Sequence, residues 1–139
     1  MNIEINWLAV TIATILSLVL ARTWYRDRLF GSSWRKITGI TPKDSQKAGM
    51  KPMAITLVAN IITVITMAVV LSAYADYSDD NSVASALLIG FIMWLAFSAT
   101  TLATHNAFEQ KREKLTAINN GYQLALFLVV SGIIGLIGY

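Results

Sequence analysis

At 139 residues and 15.3 kDa the chain is the size of one domain. Its residues are 55% hydrophobic and 14% charged, against roughly 25% charged in soluble domains. With no cysteine, disulfides, thiolate zinc sites, iron–sulfur clusters and thiol catalysis are excluded. The net charge is +3, but the eleven Lys and Arg residues flank apolar tracts. That segregation reads as membrane topology and argues against a nucleic-acid partner.

About 20 apolar residues carry a helix across a hydrocarbon core ~30 Å thick. Four tracts meet that length, at about 5–25, 52–75, 82–108 and 115–138. The expected fold is therefore all-α: residues 1–139 form a single transmembrane domain, a four-helix bundle of multi-pass topology. Strand-like alternation is absent, which argues against a β-barrel. The first tract follows Glu4 and precedes Arg22, Arg26 and Arg28. That charge order is the reverse of a signal peptide's, so the tract is expected to remain a spanning helix.

The connection from Arg26 to Lys51 carries Leu29, Phe30, Trp34 and Ile37 at helical spacing, with Arg28, Arg35 and Lys36 between them. This pattern predicts a short interfacial amphipathic helix whose length Gly31 and Gly39 limit, with Arg28, Trp34, Arg35 and Lys36 facing lipid. Thr41-Pro42-Lys43-Asp44 reads as a helix start, with Thr as N-cap, Pro first and Asp near the positive end of the dipole. The span from 52 to 75 is uncharged. The loop after it, with Asp76, Asp79 and Asp80, lacks the glycine and terminal glutamate of an EF-hand. It reads as a solvated turn ending in a Ser82 cap.

All basic residues flank the first and third loops, while the second loop and the amino end are acidic. The positive-inside rule then puts both termini outside and those two loops in the cytoplasm of an inner (plasma) membrane protein. Trp7, Tyr74, Tyr77 and Tyr139 fall at the outer interface, and Trp24, Tyr25 and Trp34 at the inner one. Trp94 sits mid-span, one turn after Gly90. Its ring either packs inside the bundle over Gly90 or forms the aromatic wall of a cavity. Ala99, Ala103 and Ala107 make a small-residue stripe on the third span; Ser131 and Gly135, with Gly132 and Gly138 nearby, make another on the fourth. Such stripes serve contacts within one copy or between copies of a homo-oligomer.

The chemistry concentrates on spans three and four. Thr101, His105 and Glu109 share one helix face and Asn119 and Gln123 another, because each set is spaced at four residues. A short turn near Arg112 makes the two helices antiparallel neighbours, with His105 beside Asn119 and Thr101 beside Gln123. Polar groups in hydrocarbon need partners, so the ladder reads as an interhelical clasp. It reads alternatively as a cytoplasm-facing polar pocket that binds a solute or relays a proton. One His and no Cys argue against a transition-metal site. No phosphate-binding glycine loop and no recognisable catalytic triad occur, so no cofactor and no catalytic residue are expected.

Asn6-Trp7-Leu8-Ala9-Val10, Trp24-Tyr25, Leu29-Phe30-Gly31 with Trp34, Gly39-Ile40-Thr41-Pro42, Gly90-Phe91 with Trp94-Leu95, Thr100-Thr101, Phe108-Glu109 and Asn119 with Gly121-Tyr122 together resemble domain of unknown function seventeen sixty-one. The resemblance covers nearly the whole chain and implies a small, mainly bacterial, four-span membrane protein. It carries no established activity. Members usually have Ser-Pro after the Trp-Tyr pair, where this chain has Arg26-Asp27. Three functions follow as alternatives: passage of a small solute or ion through the polar pocket, a non-catalytic scaffold or accessory subunit, and, on the slender basis of His105 and Glu109, a lipid enzyme.

The charge pattern gives a first test. A reporter active only in the cytoplasm, fused after Tyr139, is expected to be silent; an active fusion overturns the assigned orientation.

Overall fold

The computed structural model describes residues 3–139, among which every regular element is helical. Four helices are long and apolar enough to cross a membrane: α1 (Trp7–Trp24), α4 (Lys51–Ser78), α5 (Val83–Phe108) and α6 (Glu113–Ile137). Two short helices, α2 (Gly31–Thr38) and α3 (Pro42–Ala48), lie between α1 and α4. The protein is thus an all-α, multi-pass membrane protein. Large apolar side chains such as Leu8, Ile15, Val58, Leu88 and Ile92 point outward, as lipid solvation permits.

Local chemistry sets the helix ends. Asn6 caps α1 through its Oδ1, which accepts from Leu8 N and Ala9 N. Ser82 caps α5 by accepting from Ser85 N at 3.2 Å. Asp80 accepts from Ser82 N at 2.9 Å and from the Ser85 hydroxyl, and these bonds hold its carboxyl below the usual carboxylate range. Thr41 and Asp44 form the full capping box at the start of α3. Gly39 closes α2 in the left-handed region at φ 73°, where a side chain would be strained. Gly31 starts α2 tight against the end of α1: a Cβ there would lie 2.8 Å from Arg26 O.

α6 is the hub, packed against α1, α4 and α5. Its buried spine is Leu115, Ile118, Tyr122, Leu126, Val130 and Ile134, spaced by three or four residues as one helix face requires. Small residues bring the other helices close. Ala9, Ala13, Ser17 and Ala21 form the buried stripe of α1. Gly90 and Ala86 of α5 meet Ser131 and Gly135 of α6, so near that a Cβ on Gly90 would stand 2.8 Å from Ser131 Cβ and 3.1 Å from Phe127 O. In lipid this close approach, rather than expulsion of water, provides the attraction between helices.

Two sequence expectations need correction here. Gly90 makes room for Ser131 of α6 and not for the Trp94 ring, which neighbours Phe91 at 5.5 Å instead. The stripe of Ala99, Ala103 and Ala107 is not a packed seam: Ala99 is buried but Ala103 and Ala107 are exposed. The cause is a widened π-helical turn, Trp94–Ala99, inside α5. At about 100° per residue an unbroken helix would aim Ala99 and Asn106 roughly opposite to Ala86 and Gly90. The π turn rotates the later half by about 100°, and Ala99 and Asn106 become buried instead.

Because a Cβ at 90 has no space, Gly90→Val is expected to lower stability by about 1–3 kcal/mol, read as a lower melting temperature in detergent. Gly132→Ala, whose Cβ would meet Leu87 Cδ2 at an ordinary 3.4 Å, should be neutral or slightly stabilising. Equal melting of the Gly90→Val variant and the parent would refute the packing.

Candidate functional site: a polar cleft between α4 and α5

α4 and α5 both lean on α6 but scarcely touch each other. The seam between them opens, toward the basic ends of the helices, into a cleft of about 640 Å³. Tyr25 lines it from the end of α1, Thr56 and Thr63 from α4, and Phe97, Ser98, Thr101, Leu102 and His105 from α5. Asn119, Tyr122, Gln123 and Phe127 line it from α6. The π turn contributes directly, because Phe97 and Ser98 belong to it.

Of the polar residues singled out from sequence, Thr101, His105, Asn119 and Gln123 all line this one cleft. Glu109 does not: it is exposed at the helix end, with Lys111 Nζ 3.7 Å from its carboxylate. No direct hydrogen bond joins His105 to Asn119, which line the cleft from facing helices. Asn119 Oδ1 instead accepts from the Tyr25 hydroxyl at 2.8 Å, so the contact ties α6 to α1. Thr101 donates to Phe97 O of its own helix at 2.6 Å. Trp94 is not among the residues lining the cleft; its Nε1 donates to Asn120 O at 3.1 Å. Trp24 makes the matching bond from α1, to Ile118 O at 3.1 Å, with its ring over Gly121, where a Cβ would lie 3.0 Å from it. Two indoles therefore grip the backbone of α6 beside the cleft.

The basic loop is also more self-contained than its pattern suggests. Arg35 lies 3.3 Å from Asp27 Oδ1 and donates to Ser45 Oγ at 3.3 Å, which folds it back onto the protein rather than out toward lipid. Trp34 is half-buried, its ring edge-on to Tyr25 at 6.0 Å. Arg28 and Lys36 are exposed. Asp27, at the point of departure from the usual Ser-Pro, thus supplies the ion-pair partner of Arg35. Asp44, held below its ordinary range by its bonds to Thr41, keeps the capping box of α3 charged at neutral pH.

Sequence reasoning passed over Tyr25, Thr56, Thr63 and Tyr122 as cleft residues and missed a polar pair beneath them. Asn60 Nδ2 donates to Ser17 Oγ at 2.9 Å, both side chains being buried. The signals were present: an Asn in the middle of an uncharged span, and Ser17 in the four-residue series Ala9, Ala13, Ser17, Ala21. The Tyr122 hydroxyl is buried without a hydrogen-bond partner; the Asn60 side chain is near it but out of bonding geometry. Among the described residues, no three His, Asp or Glu side chains converge as they would to hold a metal.

The helices and cleft define a polytopic membrane protein with a side-open, uncharged polar cavity. A family model described as "Protein of unknown function (DUF1761)" matches residues 8–135, and the chain belongs to that family. No curated protein and no solved structure matches the chain.

Removing the Tyr25 hydroxyl breaks the one side-chain bond from α1 into the cleft. Tyr25→Phe is expected to cost about 0.6–2 kcal/mol in mixed-micelle unfolding. Thr101→Val should cost less, since the bond it loses lies within its own helix. The reverse order would show that the Tyr25–Asn119 bond does not hold the cleft.

Proposed function

We propose that this protein is a binding protein of transport type in the inner (plasma) membrane, with its cleft open to the cytoplasm. The cleft takes up a small hydrogen-bonding solute. The observation that carries this reading is the polar lining, which extends from His105 and Asn119 near the helix ends to Thr63 and Tyr122. Thr63 lies twelve residues beyond Lys51, about 18 Å along the helix at 1.5 Å per residue. Polar groups at that depth, without charge and with a buried hydroxyl left unpaired, suit a site that exchanges partners better than a closed clasp. Beyond the cleft, α5 is packed tightly on α6 through the Gly90–Ser131 and Ala86–Gly135 contacts, and the polar lining does not continue past Thr63 and Gln123.

A scaffold role has its own support. On another face of the α5–α6 hairpin, Ala103, Ala107 and Ala117 border a groove with Asn106, Thr116 and Asn120, and Asn120 Oδ1 is buried there without a partner.

The absence of native cysteine makes the first reading directly testable. In inside-out vesicles, Gln123→Cys and Thr101→Cys are expected to react with a water-soluble maleimide much faster than Ile15→Cys on the outward face of α1. Equal, slow reaction at all three positions would mean a dry bundle and would favour the scaffold.

A further inference from the structure

We infer that the seam between α4 and α5 binds an amphiphile, an uncharged hydroxyl-bearing headgroup on a hydrocarbon chain, that enters sideways from the bilayer. This inference rests on the binding-cleft reading and names its ligand class. The polar cleft does not end in a wall. It adjoins an apolar cavity of about 320 Å³ lined by Ile62, Thr66, Met67 and Met93, and the two share Thr63, Phe97 and Phe127. All three helices grade in the same direction. Going away from the basic ends, α4 passes from Thr56 to Met67, α5 from His105 to Met93, and α6 from Asn119 to Phe127. A polar chamber followed by an apolar one, both open between two helices that scarcely touch, matches a head and the start of its tail lying parallel to the membrane lipids.

The lining also selects the head. No Asp, Glu, Lys or Arg lines either chamber, so a charged headgroup would find no fixed counter-charge there. Several hydroxyls have already spent their proton. Thr56 donates to Pro52 O, Thr63 to Ala59 O, Thr101 to Phe97 O and Tyr25 to Asn119 Oδ1. Each therefore offers only acceptor lone pairs to a ligand. The Asn119 and Gln123 amides and the Tyr122 hydroxyl add donors. An uncharged pocket with both kinds of group is complementary to a neutral hydroxyl head, which donates and accepts, as in a diacylglycerol. A soluble polyol would leave the apolar chamber unused.

The test is photolabelling of the reconstituted protein in phosphatidylcholine vesicles with a diacylglycerol carrying a diazirine in one acyl chain. Saturable adducts are expected at Met67, Met93, Phe97 or Phe127, competed by unlabelled diacylglycerol but not by phosphatidylglycerol or glycerol. Gln123→Leu should weaken labelling about three- to tenfold through loss of a hydrogen bond. Met93→Trp, which fills the apolar chamber and leaves the polar one intact, should weaken it as well; both variants are checked for the parent's elution profile. Adducts spread evenly over outward positions such as Ile15, Val19 and Ile55 overturn the inference, as does equal competition by phosphatidylglycerol. Competition by glycerol overturns the requirement for a tail. Absence of seam adducts while Gln123→Cys still reacts with maleimide sinks the amphiphile alone; absence of both sinks the cleft with it.

Discussion

A membrane bundle cannot be held by expelling water, because lipid tails solvate Leu and Ile as well as other side chains do. What remains is close packing and polar pairing, and here both converge on α6. Ser131 and Gly135 receive Gly90 and Ala86 from one side, while the small-residue stripe of α1 buries itself on another side of the bundle. Near the basic end, the indoles of Trp24 and Trp94 donate to backbone carbonyls of the same helix. α1 and α4 also pack on each other, joined by the Asn60–Ser17 bond, but α4 and α5 scarcely touch, and a gap is left between them. The cleft is a by-product of how the bundle is held.

That arrangement separates rigid from accommodating parts. The ends of α5 and α6 away from the basic loops are locked by side chains with no room for a methyl group. The cleft end is held by hydrogen bonds, which can exchange partners, and by a π turn, which departs from regular helix without glycine or proline. Widened turns of this kind are common at functional sites. Here the turn sets the face on which Phe97, Ser98 and Thr101 meet the seam.

Much of the fold was legible. Apolar length marked four spans, the Thr-Pro-Lys-Asp series marked the start of α3, Ser82 marked the cap of α5, and Gly39 marked the end of α2, whose start at Gly31 leaves Leu29 and Phe30 outside it. These are local features, decided by desolvation and by capping within a few residues. The candidate site was legible in part: four-residue spacing grouped Thr101 with His105 and Asn119 with Gln123, and all four line one cleft. Spacing could not show that Tyr25, from a distant helix, would take Asn119, or that Lys111 would answer Glu109.

What the sequence by itself determined is the class of the protein, since hydrocarbon imposes its demand on every tract separately. It also determined the segregation of basic residues to two loops. The tertiary structure alone decided that α6 is the hub, that Gly90 faces Ser131 and not Trp94, and that Ala103 and Ala107 lie outside the packed seam. For the alanines the physical reason is the π turn: one widened turn rotates everything after it, and periodicity read along a chain assumes a constant angle per residue. The hub and the Gly90–Ser131 contact are set by which small-residue faces meet once the helices pack. The pairing of Asn60 with Ser17 belongs with these, because two buried polar groups find each other only once the helices are packed.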